Sequence, residues 1–252
     1  AQTFSKEVEI TLEMRNDNRD AEVGTYLRNL SEFCDNRQDL DLTHRFTFAD
    51  ATSYTDKNGA TVTTTVGDAL ALLSAAHTLA FSSTTYNNIV TGAPAFSESA
   101  LESALLIAAT QVYSNFAEKR NMNFNTIVSG DDPSTVNTVK EYLNSVADVT
   151  GAHSGIVNVY KNKYTHVVLP YLATTAAGAY DSTKRRRWFL LAAGQGVRGW
   201  QAYIGVWEQP NLKTPAPGNN GEDVHNDNWT FGARCAYGIT SVTGRGILMS
   251  TG

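Results

Sequence analysis

The first residues of the chain alternate between apolar and polar side chains. Phe4, Val8, Ile10, Leu12 and Met14 lie on one face, Ser5, Glu7, Glu9, Thr11 and Glu13 on the other, and only Lys6 interrupts the apolar row. This period of two predicts a strand over residues 4–14 with one wet face. A strand of this length is not stable alone, and no hairpin mate follows it in the sequence. We therefore expect its partner to lie upstream of Ala1 or in another subunit.

A helical pattern follows the strand. Apolar residues recur at spacings of three and four from Val23 onward, which predicts a long amphipathic helix reaching about Leu42. Asn18 or Asp20 can cap this helix. Its other face carries charged residues that we expect to be solvated or to meet neighbouring subunits, namely Arg28, Glu32, Asp35, Arg37 and Asp39.

The rest of the chain predicts a mixed α+β fold. Asn58-Gly59 marks a hairpin between the runs 46–54 and 60–66, residues 67–79 form a short helix or compact turn, and 81–94 are a loop. Helices are expected over 97–116, where Ser99 and Glu102 have capping-box spacing, and after Asp132-Pro133. Strands are expected at 124–128, 155–160, 164–169, 188–192, 200–207, 229–242 and 245–249.

The composition narrows the class of protein. Charged residues make up 18% of the chain, against about 25% in ordinary domains, and abundant Thr and Asn replace them. This excludes charged disorder, a long exposed coiled coil and a basic nucleic-acid domain. Residues 1–45 carry six basic and ten acidic residues, while 184–252 carry eight and four. Such opposite charges favour self-association through complementary surfaces.

The two cysteines and the lengths of the apolar runs indicate the cellular environment of the chain. Cys34 and Cys235 make no disulfide framework and have no metal-site spacing, so we expect two buried thiols in a reducing interior. No apolar run approaches the ~20 residues of a membrane span.

One glycine pattern resembles a nucleotide site. Residues 194–199 read G-x-G-x-x-G, but an aromatic and β-branched strand pattern follows where a dinucleotide site needs a helix. We interpret the segment as a glycine-rich turn between strands.

The five histidines, at positions 44, 77, 153, 166 and 225, are isolated in sequence. We interpret His166 as a satisfied core or interface residue. His225 with Asp223 and Asp227 has the donors for a metal, yet a polar loop is the favoured interpretation. A small α+β enzyme with His77 or His166 in its site remains an alternative.

Charged residues are the candidate site of self-association. On the strand and the long helix the candidates are Lys6, Glu7, Glu9, Glu13, Arg28 and Glu32. The dense basic run Lys184, Arg185, Arg186 and Arg187 either touches phosphates or meets acidic residues of a neighbouring subunit. It stands at the entrance of the apolar strand 188–192.

The order of these elements resembles the major capsid proteins of tailed bacteriophages with the Hong Kong 97-type fold. The segment 67–79 carries the pattern Gly-Asp-x-Leu-x-Leu-Leu-Ser-x-x-His-x-Leu, and 167–172, 188–191 and 228–238 follow in the family's order. The resemblance implies that residues 1–20 are the returning strand of an extended loop, 21–95 a peripheral domain with its spine helix, 96–204 an axial domain, and 205–252 the return to the peripheral sheet. It also implies an arm and an outgoing loop strand upstream of Ala1.

The resemblance implies a structural protein of the virion. Its subunits would form pentamers and hexamers of an icosahedral shell, assembled in the bacterial cytoplasm around double-stranded DNA that is contacted non-specifically. Scaffold, portal and decoration proteins are possible partners, and no catalysis, cofactor, metal or membrane is implied. An encapsulin-type nanocompartment shell and a tail or decoration protein are the alternatives.

Overall fold

The computed structural model describes residues 2–17, 19–111, 113–147, 157–196, 199–214 and 228–252. Its helices are α1 (Leu12–Asn16), α2 (Asp20–Thr47), α3 (Glu98–Thr110) and α4 (Pro133–Asn144). Its strands are β1 (Gln2–Ile10), β2 (Ser53–Thr55), β3 (Thr61–Thr63), β4 (His77–Leu79), β5 (Ser82–Tyr86), β6 (Thr126–Ser129), β7 (Thr165–Val168), β8 (Trp188–Leu191), β9 (Ala202–Lys213), β10 (Trp229–Ser241) and β11 (Ile247–Ser250). The chain divides into two compact units.

The first unit contains residues 1–42 and 204–239. Its sheet has the strand order β1-β10-β9, with β1 antiparallel to β10. Leu30 and Cys34 of α2 pack against Phe4 of β1 and Cys235 of β10, which joins helix and sheet in one apolar core. The alternation read from the sequence is confirmed, because Phe4 and Ile10 are buried while Glu7 and Glu9 are exposed.

The second unit contains residues 43–203 and 240–252. Its main sheet has the order β11-β8-β6-β7, in which β6 and β7 are parallel. Every residue of β6, β8 and β11 is buried, since the sheet is covered on both faces. Leu101 of α3 and Val139 of α4 belong to the core on one face, and Leu72 to the core on the other. Burial on both faces explains why these strands read as apolar runs without alternation.

The prediction that the first strand pairs upstream of Ala1 or with another subunit was wrong. β1 pairs along its whole length with β10 of the same chain, from Gln2↔Tyr237 to Ile10↔Trp229. The strand also ends at Ile10 rather than residue 14, because Thr11 accepts the Met14 N–H at 3.3 Å and opens α1. A mate more than two hundred residues away leaves no trace in the local pattern.

Other boundaries also moved. α2 runs on to Thr47, so Phe46 is helical rather than part of a hairpin strand, while β2 and β3 confirm the hairpin around Gly59, whose φ is +82°. α3 begins after Ser97, whose side chain accepts the Ala100 N–H, and not at the Ser99 capping box. It stops at Thr110 instead of 116.

Three further segments differ from expectation. The expected loop 81–94 contains β5, which pairs with β4, and residues 67–76 form the compact turn rather than a helix. Of the expected strand 155–160, residues 155–156 lie outside the described residues and 157–160 form a bridge and a turn. Among the described residues, none of the helices is long and apolar enough to cross a membrane.

Candidate functional site

The segment 67–79, which carries the family pattern, is a turn organised by Asp68. Its Oδ1 accepts the Leu70 N–H at 3.2 Å, while its Oδ2 lies 2.7 Å from His77 Nδ1 and accepts the Thr78 N–H at 3.2 Å. Ala69 sits at φ +63°, in the left-handed region that a tight turn requires. Asp68 and His77 therefore hold the two ends of this turn together. We call the turn 67–79, closed by this contact, the clasp.

His77 is fully buried within this clasp. Its Nε2 lies 3.1 Å from the Leu72 carbonyl oxygen, and its ring stacks on Tyr86 at 4.9 Å. Burial raises the pKa of Tyr86 to about 12, so this phenol stays neutral. An adjoining cleft of about 710 Å³ is lined by Asp68, Tyr86 and Arg245, and His77 is not among its described lining residues. Both ring nitrogens of His77 have partners within this turn, Asp68 and the Leu72 carbonyl oxygen.

The ring of His166 contacts a serine hydroxyl on the neighbouring strand β6. Its Nε2 lies 2.9 Å from Ser129 Oγ, and the same hydroxyl lies 3.0 Å from the Gly130 carbonyl oxygen. The Ser129 hydroxyl therefore has both the ring nitrogen and the Gly130 carbonyl as partners, and these contacts hold the ring in place beside β6. Burial, and then the charge of Lys140, lowers the pKa of His166. This residue is the satisfied histidine that the sequence favoured.

The remaining chemical candidates have structural explanations or cannot be placed. Gly194 and Gly196 adopt positive φ, and β9 follows from Ala202 where a nucleotide site needs a helix. Residues 197–198 lie outside the described residues, as do His153, Asp223, His225 and Asp227. Within the described ranges, no group of three or more His, Cys, Asp or Glu residues is arranged to hold a metal.

The interface candidates of the first unit all lie on its surface. They are Lys6, Glu7, Glu9, Glu13, Arg28 and Glu32. The Lys6 ammonium stands 5.9 Å from the Phe33 ring centroid, and Glu9 accepts a 2.5 Å bond from Asn228. Exposure leaves all six side chains available to a partner, and their role in assembly stays a prediction.

Arg187, at the end of the basic run, makes its contacts inside the folded chain. It is buried, donates to the Thr47 carbonyl at 2.7 Å, and binds both carboxylate oxygens of Asp50 at 2.8 and 3.2 Å. The bidentate pair ties β8 to the segment that follows α2. The guanidinium of Arg187 is therefore bonded within the chain, and its part in a contact between subunits stays a prediction.

The rest of the basic run is divided between the fold and the surface. Lys184 lies 3.3 Å from Asp181, donates to the Thr174 carbonyl at 3.2 Å, and stands 4.0 Å from the Phe48 ring centroid. Arg185 and Arg186 are exposed. These two guanidinium groups are the part of the run that is free to meet phosphates or acidic side chains.

Strand β9 adds an exposed apolar surface that the sequence pattern did not indicate. It lies at the edge of the first unit's sheet, and nearly every residue in it is exposed. Ile204, Val206 and Leu212 are each about two-fifths exposed, and Trp207 is 69% exposed. A long, apolar edge strand is a surface that proteins normally cover. The only sequence signal was its aromatic content, which reads equally well as core.

The sequence also missed a buried polar group in the first unit. Arg37, assigned to the wet face of the helix, is only 9% exposed and donates from Nε to Asp41 at 3.0 Å. Its guanidinium lies 4.4 Å from the Phe4 ring centroid. The positions 23, 27, 30, 34, 37 and 41 continue one stripe of the helix. Extending that spacing past Cys34 would have shown that Arg37 faces the core.

Comparison with known proteins supplies the architecture. No family model matches the chain, and no curated protein is similar to it in sequence. The capsid of Myoviridae phage XM1 has a TM-score of 0.53 at 10% identity, covering 98% of this chain and 72% of that one. A structure from Gordonia phage Cozz has a TM-score of 0.49 at 12% identity and covers 98% of this chain and 69% of that one. The holo-SrpI encapsulin complex of Synechococcus elongatus PCC 7942 has a TM-score of 0.48 at 9% identity and covers 98% of this chain and 72% of that one. The chain therefore has the Hong Kong 97-type capsid fold, as its order of elements predicted.

Proposed function

We propose that this chain is a major capsid protein that self-assembles into the pentamers and hexamers of an icosahedral shell enclosing double-stranded DNA. The observation that carries the proposal is the fold shared with the phage XM1 capsid over 98% of the chain. In this proposal the protein is located in the virion, after assembly in the bacterial cytoplasm. Scaffold, portal and decoration proteins are its further partners, and it catalyses no reaction.

Surface properties support self-association. The edge strand β9 exposes Val206 and Trp207, which water solvates poorly and another subunit would cover. The acidic side chains Glu7, Glu9 and Glu13 are exposed, as are the basic Arg185 and Arg186. We propose these charges as complementary contacts between subunits, which steer and register association.

The division into domains is part of the same proposal. Residues 1–20 form the returning strand of the extended loop, and 21–95 and 205–252 form the peripheral domain. Residues 96–204 form the axial domain, which clusters at the symmetry axes of the shell.

Assembly tests the proposal directly. The full-length chain is expressed with and without its candidate scaffold, and its products are examined by sedimentation and negative-stain microscopy. Closed shells are expected. A monomer at every concentration and with every partner would overturn the proposal, and co-purification of an enzyme cargo instead of DNA would favour a nanocompartment.

A matched pair of variants probes the charged contacts. Arg185→Glu combined with Arg186→Glu reverses the exposed basic pair, and Lys57→Glu reverses another exposed charge, on the β2–β3 hairpin. Loss of shells in the first variant alone indicates a contact between subunits. Intact shells with less packaged DNA indicate phosphate contacts, and no change in either property excludes the pair from assembly.

A further inference from the structure

The two cysteines of the chain meet inside the first unit. Cys34 lies on α2 and Cys235 on β10, opposite Phe4 in the sheet register. Both are buried free thiols in the apolar core that also contains Leu30 and Tyr237. The two thiols are close enough that Cys34 contributes to the raised pKa of Cys235. Since the chain has two cysteines in all, each thiol has one possible intrachain partner.

We propose that Cys34 and Cys235 form an intrachain disulfide that fastens α2 to β10 when the protein meets a small-molecule disulfide oxidant. The thiolate of one cysteine attacks a sulfur of oxidised glutathione and displaces one glutathione thiolate. The second cysteine then attacks the resulting mixed disulfide and displaces the other glutathione. The protein loses two electrons and two protons, and two molecules of reduced glutathione carry them away.

Burial makes this reaction conditional on opening of the unit. The attacking species in thiol–disulfide exchange is the thiolate. Burial and the neighbouring Cys34 thiol raise the pKa of Cys235 to about 12, which keeps this cysteine protonated in the closed unit. The pair is therefore stable as thiols while the helix and sheet are closed, and it reacts when they separate.

Once formed, the bond restricts the unfolded chain. It closes a loop from position 34 to position 235, and a longer loop loses more conformational entropy when it is closed. It also lies within the contact that joins helix and sheet, so oxidation strengthens the first unit specifically. This inference does not depend on the proposed function.

The test uses the purified full-length chain with oxidised glutathione, in buffer and in urea just below the unfolding midpoint. Free thiols are alkylated, and the chain is digested without reduction and mapped by mass spectrometry. A peptide linking Cys34 to Cys235 is expected, formed faster in urea, with an intact mass lower by two hydrogens. The urea midpoint should rise by roughly 1 M. Stable mixed disulfides at both cysteines, dimers linked between chains, or unreacted thiols in urea would overturn the proposal.

Two controls keep the result interpretable if a variant folds poorly. Dithiothreitol added to the oxidised wild-type chain should return the urea midpoint to the reduced value, which requires no substitution. Cys34→Ala should leave a glutathione adduct on Cys235 and show no upward shift of the midpoint. An upward shift in this variant, or a wild-type shift that dithiothreitol does not reverse, would contradict the proposed bond.

Discussion

The hydroxyl of Tyr237 donates a 2.6 Å hydrogen bond to Asp41 Oδ2, the oxygen that also accepts the Arg37 Nε–H at 3.0 Å. Burial, followed by the bond to Asp41, raises the pKa of Tyr237 far above its usual range, so the phenol always acts as a donor. One carboxylate therefore links the helix α2 to the strand β10 in the core of the first unit.

Removing that carboxylate should lower the free energy of unfolding more than removing the phenol hydroxyl does. Asp41→Ala breaks the buried ion pair with Arg37, which costs about 3–5 kcal/mol. Tyr237→Phe loses one hydrogen bond to a charged group, about 1.5–3 kcal/mol. Urea unfolding followed by circular dichroism measures both free energies. Equal losses, or a larger loss for Tyr237→Phe, would contradict the central place given to Asp41.

Gly244 is expected to tolerate no side chain. An added Cβ would contact His77 Nε2 and lie 2.9 Å from the Leu72 carbonyl oxygen, both in the core of the clasp. Gly244→Ala should therefore lower the free energy of unfolding by roughly 1–3 kcal/mol. Gly24→Ala is the matched control, since Gly24 lies in α2 with nothing within 4 Å of its added Cβ. Alanine should raise stability there by up to about 1 kcal/mol.

Two serines at the start of α3 should differ in their effect on stability, because only Ser97 is the N-cap. Ser97→Ala removes the side chain that accepts the Ala100 N–H, which should cost about 1 kcal/mol. Ser99→Ala removes the residue that the capping-box pattern indicated and should change stability by no more than ~0.5 kcal/mol. Thermal unfolding compares them, and a larger effect at Ser99 would restore the cap predicted from the sequence.

Two neighbouring arginines of the basic run should differ in how much they contribute to the free energy of unfolding. Arg187→Ala removes the bonds to Asp50 and to the Thr47 carbonyl and should destabilise the chain by about 1–3 kcal/mol. Arg186→Ala, at an exposed position, should leave the unfolding free energy within ~0.5 kcal/mol. Calorimetry gives the stabilities, and a comparable loss from both variants would show that Arg186 also supports the fold.

His166 should make the chain less stable in mild acid. Its folded-state pKa is lowered, so folding favours the neutral ring, and the stability it contributes is present above the unfolded pKa of about 6.5 and is lost as the pH falls below it. The urea midpoint should therefore fall between about pH 7.5 and pH 5.5. His166→Gln should show a smaller fall. An equal fall in both proteins would assign the effect to other groups.

Several parts of the fold could be predicted because their causes are local. The two-sided burial of β8 follows from four consecutive large apolar residues, the hairpin at Gly59 from a turn that needs positive φ, and the start of α4 from Asp132 with Pro133. Each signal lies within a few residues of the structure it predicts. The order of such elements was enough to indicate the capsid fold.

The amino-acid sequence by itself indicated most of the elements, their order and the apolar stripe of α2 as far as Cys34. Only the tertiary structure decided that β1 pairs with β10, that Arg37 is buried with Asp41, and that Asp68 closes on His77. The physical reason is the range of the interactions. Helix and turn preferences act over a few residues, whereas strand pairing and the satisfaction of buried charges depend on which distant segments the folded chain brings together.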